Sequence, residues 1–259
     1  MSAASATPRS NRRRSTGGGA GLTRLGWRTE LSLFLAAYAT YTLARWLFAG
    51  DLAEARDHAR WIYEFEQATH VAVEGSVQRA FDSPVASRLL SNLYLAAQLA
   101  VLPTALVWLY RRSPELYRGL RNTILATWLI AVPIFAEFPV APPRLAGIGL
   151  VDTVSQQVAV GLTGRSTLFY NPLAAVPSLH VGFAAALGVA LAVGLRSRWA
   201  KALAVLWGPL VALAVVATGN HYVFDVAAGV IVTALGFVAG RLPARLSSAR
   251  AGVPALAAR

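Results

Sequence analysis

His221 and Asp225 stand four residues apart in Gly219-Asn220-His221-Tyr222-Val223-Phe224-Asp225, at the head of an apolar run long enough to cross a membrane. On a helix, that spacing puts both side chains on one face, a turn apart. The carboxylate can accept from one ring nitrogen and leave the other as a base or a nucleophile. The same pair also fits a purely structural hydrogen bond. Ionisable groups in a membrane span are expensive and mark function by default. The choice between the two readings turns on whether other polar groups reach the same depth.

The chain that must position this pair has 259 residues, 56% of them hydrophobic and 14% charged, with a mean hydropathy of +0.50. A soluble domain carries about 25% charged residues, so the composition is that of a membrane protein. No cysteine is present, which excludes disulfides, catalytic thiols and thiolate metal sites.

A span needs about 20 mainly apolar residues. Six runs qualify, at roughly 31–49, 89–110, 123–141, 179–195, 201–218 and 221–240. The expected fold is therefore all-α and polytopic, with six transmembrane helices. Between the first two runs, residues 51–87 mix charges with Trp61, Ile62, Phe65, Val71, Val73 and Phe81, a pattern that suits interfacial amphipathic helices. Residues 1–28 are rich in Ser, Gly and Arg and read as a disordered basic tail. They make a poor secretion signal, because the apolar run starts well after the arginines. The expected division is thus a cytoplasmic tail over 1–28, a membrane domain over 29–241 and a short tail over 242–259.

The net charge of +12 would suggest a nucleic-acid partner if it were clustered on a soluble domain. Its distribution gives a different explanation. With the N-terminus in the cytoplasm, 17 basic residues fall in the tails and the loops near 111–121 and 196–201, six fall on the opposite side, and Arg45 lies inside the first run. Acidic residues run the other way, eight outside and two inside. By the positive-inside rule, both termini are then cytoplasmic in the cell membrane. The charge is a topology signal, and no nucleic-acid partner is expected.

That topology gathers three segments at the extracytoplasmic boundary. The third run ends in Phe138-Pro139-Val140-Ala141-Pro142-Pro143-Arg144, whose prolines stop a helix. The fourth begins at Pro177-Ser178-Leu179-His180 and the sixth at His221. Arg144 offers a planar cationic fork for phosphate oxygens. Backbone N–H groups near Ser178 and Leu179 open a helix and favour an anion. One histidine held by a carboxylate can attack phosphorus, and a second can protonate the leaving oxygen. Two histidines and a carboxylate could instead bind a metal. Asp225 is better placed to orient His221 than to share an ion, so no metal or other cofactor is expected.

At these residues the chain resembles the type-2 phosphatidic acid phosphatase superfamily. Pro177-Ser178-Leu179-His180 is similar to its Pro-Ser-x-His motif, and His221 with Asp225 to its His-x-x-x-Asp motif. The closer likeness is to the branch containing inositol phosphorylceramide synthase and sphingomyelin synthase. Many actinobacterial membrane proteins of that branch look similar at Pro142-Pro143-Arg144, Asn171-Pro172 and Asn220-His221-Tyr222. The likeness runs over residues 30–240. It implies a metal-free mechanism with a phosphohistidine intermediate, with His221 as nucleophile, Asp225 orienting it, His180 as general acid, and Arg144 with the Ser178–Leu179 region holding phosphate. Two cations of the superfamily pattern are absent, because Glu137 stands where its lysine would be and Val215 where its second arginine would be. Arg165 is a candidate replacement, although an ordinary solvated loop position explains it better. The departures fit a lipid phosphotransferase better than the soluble haloperoxidase relatives.

Other polar residues are weighed against plainer roles. Glu137 could pair with Arg144 or be merely interfacial. Asn92, Tyr94 and Gln98 suit interhelical hydrogen bonds first and a substrate pocket second. The polar residues of loop 145–176, Asp152 among them, read mainly as solvated or turn-forming, but Tyr170 and Asn171 are better candidates for lining the site, as is Asn220. The expected partners are the bilayer and a lipid phosphate or phospholipid. Water as acceptor would make a phosphatase, and a lipid alcohol or other acceptor would make a headgroup transferase, such as an inositol-phosphate transferase. The rival from another class is a non-enzymatic transporter or scaffold. A proton relay would thread ionisable groups through several depths, whereas these gather at one face.

Overall fold

The computed structural model describes residues 25–47, 50–157 and 172–241. Among them the chain is all-α, and an isolated bridge between Val140 and Ala174 is the nearest it comes to a strand. Each of the six apolar runs carries a helix. These are α1 (Trp27–Leu47), α4 (Pro84–Ala96) continued by α5 (Leu102–Arg112), α6 (Pro114–Glu137), α8 (Leu179–Gly194), α9 (Arg198–Ala217) and α10 (Val223–Ala239). Three stretches are long and apolar enough to cross a membrane: Pro84–Arg112, Pro114–Glu137 and Arg198–Ala217. α8 and α10 are shorter apolar helices. The expected interfacial segment forms α2 (Leu52–Ala68) and α3 (Glu74–Ala80), and a further short helix, α7 (Thr153–Gln157), follows the arginine turn.

The second run was expected as one regular helix over 89–110. It starts earlier and is interrupted by a π turn at Ala97–Val101, just before Pro103. Proline lacks the N–H that would bond the carbonyl four residues back, and its ring crowds that carbonyl. Widening the preceding turn relieves both faults and re-aims the side chains of Gln98 and Leu99.

Small residues set how closely the site-bearing helices meet. Gly229 of α10 lies so near the start of α8 that a Cβ there would collide with the Ser178 carbonyl oxygen. That closeness lets the Ser178 N–H donate to the Asp225 carbonyl at 3.1 Å. The core beneath is filled by Leu109, Leu120, Ile124, Phe183 and Leu187, with Val181, Val211 and Val215 beside them.

α2 buries Ala55, Ala59, Ile62 and Glu66 along one stripe, while Trp61 and Phe65 are exposed. The stripe packs on Val140, Ala141 and Tyr222. The amphipathic segment therefore roofs the end of the bundle where α6 stops and α8 and α10 begin.

Candidate active site

His221 was expected on a helix with Asp225. It lies instead in the turn between α9 and α10, two residues before α10 begins, with Asp225 in that helix's first turn. The contact survives because the turn is tightly held. Gly219 adopts φ +69°, a conformation glycine takes without cost. The N–H groups of Asn220 and His221 then donate to the Val215 carbonyl at 3.0 and 3.2 Å. With Asp225 as the carboxylate, Nδ1 of His221 carries the proton and donates to Oδ2 at 3.1 Å. The same oxygen accepts from the Tyr222 N–H at 2.9 Å. With Nδ1 so engaged, Nε2 of His221 is the ring nitrogen that could serve as nucleophile, and the Ala175 backbone also bears on the ring as a hydrogen-bond acceptor.

His180 opens α8 with its ring centre 6.1 Å from that of His221. Tyr94 of α4 stacks on it at 4.4 Å and 19°, which fixes the plane of the ring. Ser178 is fully buried and caps α8 by accepting from the Val181 N–H. Leu179 lines the same cavity as both histidines. Asn220, 2% exposed, donates to the Thr218 hydroxyl at 2.9 Å and also faces that cavity.

Arg144 sits in a 3-10 turn, Pro143–Leu145, and its N–H donates to the Gly219 carbonyl at 3.0 Å. This bond ties the arginine turn directly to the histidine turn. The guanidinium is buried, pairs with Asp152 at 3.4 Å, and its charge bears on the His221 ring. Asp152, expected to be solvated or turn-forming, does form a turn, accepting from the Ser155 N–H and hydroxyl, but its pairing with the buried Arg144 was not foreseen. Gln78 of α3 stitches this loop down, donating to the Val151 carbonyl and accepting from its N–H, both at 2.9 Å.

Glu137 stands exposed at the end of α6, apart from the cavity lining. Val215 is fully buried, so no cation position exists there. Asn92 is exposed and bonds the Arg88 carbonyl of its own helix, whereas Tyr94 and Gln98 face the cavity. Tyr170, Asn171 and Arg165 lie outside the described residues. Two buried carboxylates went unnoticed in the sequence, Glu66 and Glu74. They reach the start of α10, accepting from the Phe224 N–H at 2.6 Å and the Val223 N–H at 3.0 Å. Only the position of Glu66 on the otherwise apolar stripe of α2 could have pointed to one of them; the buried face of α3 is Glu74 and Gln78, which reads as polar throughout.

The cavity under the two histidines has a volume of about 510 Å³ and reaches Tyr38 and Tyr41 of α1, Gln98, and Trp128 and Phe135 of α6. A second cavity of about 430 Å³ shares Gln98 and Trp128 with it and continues along Phe34 and Phe183. Among the described residues no group of three or more His, Cys, Asp or Glu is arranged to hold a metal ion.

No curated protein and no solved structure matches the chain at a significant level. Residues 60–239, more than half of the chain and including every residue of the cluster around His221, match the PAP2 superfamily; the chain therefore belongs to that superfamily, whose members are in general metal-independent phosphatases or phosphotransferases.

Proposed function

We propose that the protein crosses the membrane six times with both termini in the cytoplasm, and that it cleaves or transfers a phosphate ester of a lipid at the extracytoplasmic face. The observation that carries the lipid reading is the cavity. Its lining joins His180 and His221 to Trp128, Phe135 and the α1 tyrosines, so polar reacting groups and an apolar surface share one cavity.

In the first step Nε2 of His221 forms a bond to phosphorus as the ester P–O bond breaks, and His180 gives its proton to the leaving oxygen. Asp225 stabilises the positive ring that results. In the second step an acceptor hydroxyl adds to phosphorus, its proton passes to His180, and the P–N bond breaks. Arg144 holds the non-bridging oxygens throughout, with the start of α8 beside it.

The acceptor is open to two readings, and one observation favours transfer. With Val215 in the core and Glu137 a carboxylate, the described cation bearing on His221 is Arg144. Counting the described side-chain cations alone, that one charge balances a phosphodiester, which carries one negative charge, better than a monoester dianion. That balance supports headgroup transfer between lipids, as in the branch containing inositol phosphorylceramide synthase and sphingomyelin synthase.

The test is release of phosphate or headgroup by the purified full-length chain from a panel of lipid phosphates and phospholipids, with His221→Ala as control. Wild type is expected to turn over at least one long-chain lipid and the variant none. Equal, slow release by both would end the enzymatic reading. Adding a lipid alcohol separates the two reactions: transfer yields a new phospholipid, and hydrolysis is unchanged.

A further inference from the structure

Glu66 and Glu74 are both fully buried, and they come from two different interfacial helices. One oxygen of each accepts from consecutive N–H groups at the start of α10, Phe224 at 2.6 Å and Val223 at 3.0 Å. The preceding N–H, of Tyr222, is taken by Asp225. Three consecutive amides at the head of the helix are thus satisfied by three carboxyl groups. Helix starts leave their first N–H groups without intrahelical partners and carry the positive end of the dipole. Such a site can balance roughly half a charge, not three full ones.

We propose that Glu66 and Glu74 are positioning residues for the His221–Asp225 pair, pinning the first turn of α10 through a carboxyl and a carboxylate that share one proton. Their second oxygens are both buried with no hydrogen-bond partner among the described residues, and the two side chains lie close enough for a proton held on one to be shared with the other. Two bare carboxylates at that range repel each other, and a proton between them removes the repulsion. Burial and the neighbouring Glu74 push the Glu66 carboxyl up to about 8, against the partial opposing effect of the Phe224 N–H.

The other titratable groups facing the pair are Asp225 and Tyr222 on α10, with Tyr63 of α2 beyond Tyr222. Among the described residues no cation forms an ion pair with either glutamate. Arg144 pairs with Asp152, and Arg79 of α3 bonds Ser76. Among the described residues no cation therefore offsets a second negative charge. Loss of the shared proton would set two carboxylates against each other beside Asp225, and the first turn of α10 is the part that must give.

This role rests on His221 being the nucleophile, but the shared proton can be read without turnover. The full-length chain in detergent micelles is compared with Glu66→Gln and Glu66→Ala by infrared spectroscopy, by amide exchange at Val223 and Phe224, and by kcat and KM on a lipid phosphate. The side-chain amide introduced by Glu66→Gln can accept from Phe224 and donate to Glu74, as a protonated carboxyl does. Wild type should show the C=O stretch of a protonated carboxyl at neutral pH, which disappears as pH rises through about 8 and is missing in Glu66→Gln.

Exchange at Val223 and Phe224 should quicken on the order of tenfold or more in Glu66→Ala, as expected on losing a charged hydrogen bond, and stay slow in Glu66→Gln. Turnover should follow the same order, with kcat reduced and KM kept in Glu66→Ala. Glu66→Gln should remain active above pH 8, where wild type declines. Absence of the carboxyl band in wild type, or an alkaline decline in Glu66→Gln equal to that of wild type, would overturn the shared proton. Unchanged exchange in a folded Glu66→Ala would overturn the positioning role. A chain that shows the band and the slow exchange but turns over neither lipid phosphates nor phospholipids would overturn the enzymatic reading alone.

Discussion

A carboxylate that touches no substrate can still set the rate, and Asp225 is placed to do so. Its Oδ2 holds both the Tyr222 N–H and Nδ1 of His221. Replacement by asparagine keeps the size but removes the charge that stabilises a ring bonded to phosphorus. It also lets an amide N–H face Nδ1, which favours the wrong tautomer. For Asp225→Asn we expect kcat to fall on the order of 10²- to 10⁴-fold, the range of general acid–base contributions. KM should hold, because Asp225 meets the histidine and not the phosphate. Steady-state kinetics on the purified variant, with thermal unfolding as a check on the fold, decides it: a kcat within a few-fold of wild type removes the role. Asp225, His221, His180 and Arg144 could all be singled out from the sequence, since their spacing and chemistry are local. Asp152, Tyr94, Glu66 and Glu74 could not be assigned their partners, because those partners are distant in sequence. Glu66 meets Phe224 across 158 positions and Glu74 meets Val223 across 149. A polar residue inside an amphipathic pattern reads as solvent-facing until the surface that buries it is known.

At the scale of elements, the apolar runs located the helices to within five residues at each end except the start of α6, which lies at Pro114, nine residues before the run, and proline marks the places where they departed. α6 stops at Glu137 instead of 141 because Pro139, Pro142 and Pro143 hold the chain extended, and that extension carries Arg144 back to Gly219. The π turn before Pro103 was not foreseen, since an apolar run looks the same whether its turns hold 3.6 residues or more. The close approach of α10 to α8 was equally hidden: the sequence shows a glycine at 229 but not the carbonyl it must clear. A methyl at that position would collide with the Ser178 carbonyl oxygen. Gly229→Ala must therefore push α10 away from the segment that carries Ser178 and His180. Overpacking of this kind costs about 1–3 kcal/mol. The expected outcome is a lower unfolding temperature together with loss of turnover, because the same shift moves Asp225 relative to His180. Gly240→Ala, at the far end of α10, also meets close backbone, with Asn122 atoms 3.0 Å away, and serves as the control. It should lower stability while sparing kcat. Equal kcat in Gly229→Ala and wild type would show that the α8–α10 register is not what aligns the site.

For the molecule as a whole, the positive-inside rule applied to the disposition of charge favours one arrangement in the membrane over its inverse. Arg111, Arg112, Arg118 and Arg121 cluster where α5 meets α6, and Arg196, Arg198 and Lys201 where α8 meets α9. The opposite end carries the α2–α3 roof with Glu54, Asp57, Glu64, Glu66 and Glu74. Positive residues are retained on the cytoplasmic side during insertion, so the end holding His180, His221 and Arg144 is expected to face outward. The buried Glu30–Arg121 pair, with Tyr117 donating to Glu30 at 2.9 Å, joins α1 to α6 at the arginine-rich end and keeps these charges satisfied. The absence of cysteine from the chain makes the orientation directly measurable. Glu137→Cys places a thiol at an exposed position beside the candidate active site, and Ser197→Cys places one at an exposed position in the α8–α9 connection. In intact cells, a membrane-impermeant maleimide should label Glu137→Cys and leave Ser197→Cys unmodified until the membrane is permeabilised. The reverse pattern would turn the molecule over and put the chemistry on the cytoplasmic leaflet. Labelling of both in intact cells would mean that the stretch from α6 to α9 does not cross an odd number of times between them. Since α8 is the apolar helix that separates the two positions among the described residues, that result would point to this 16-residue helix as the element that fails to span.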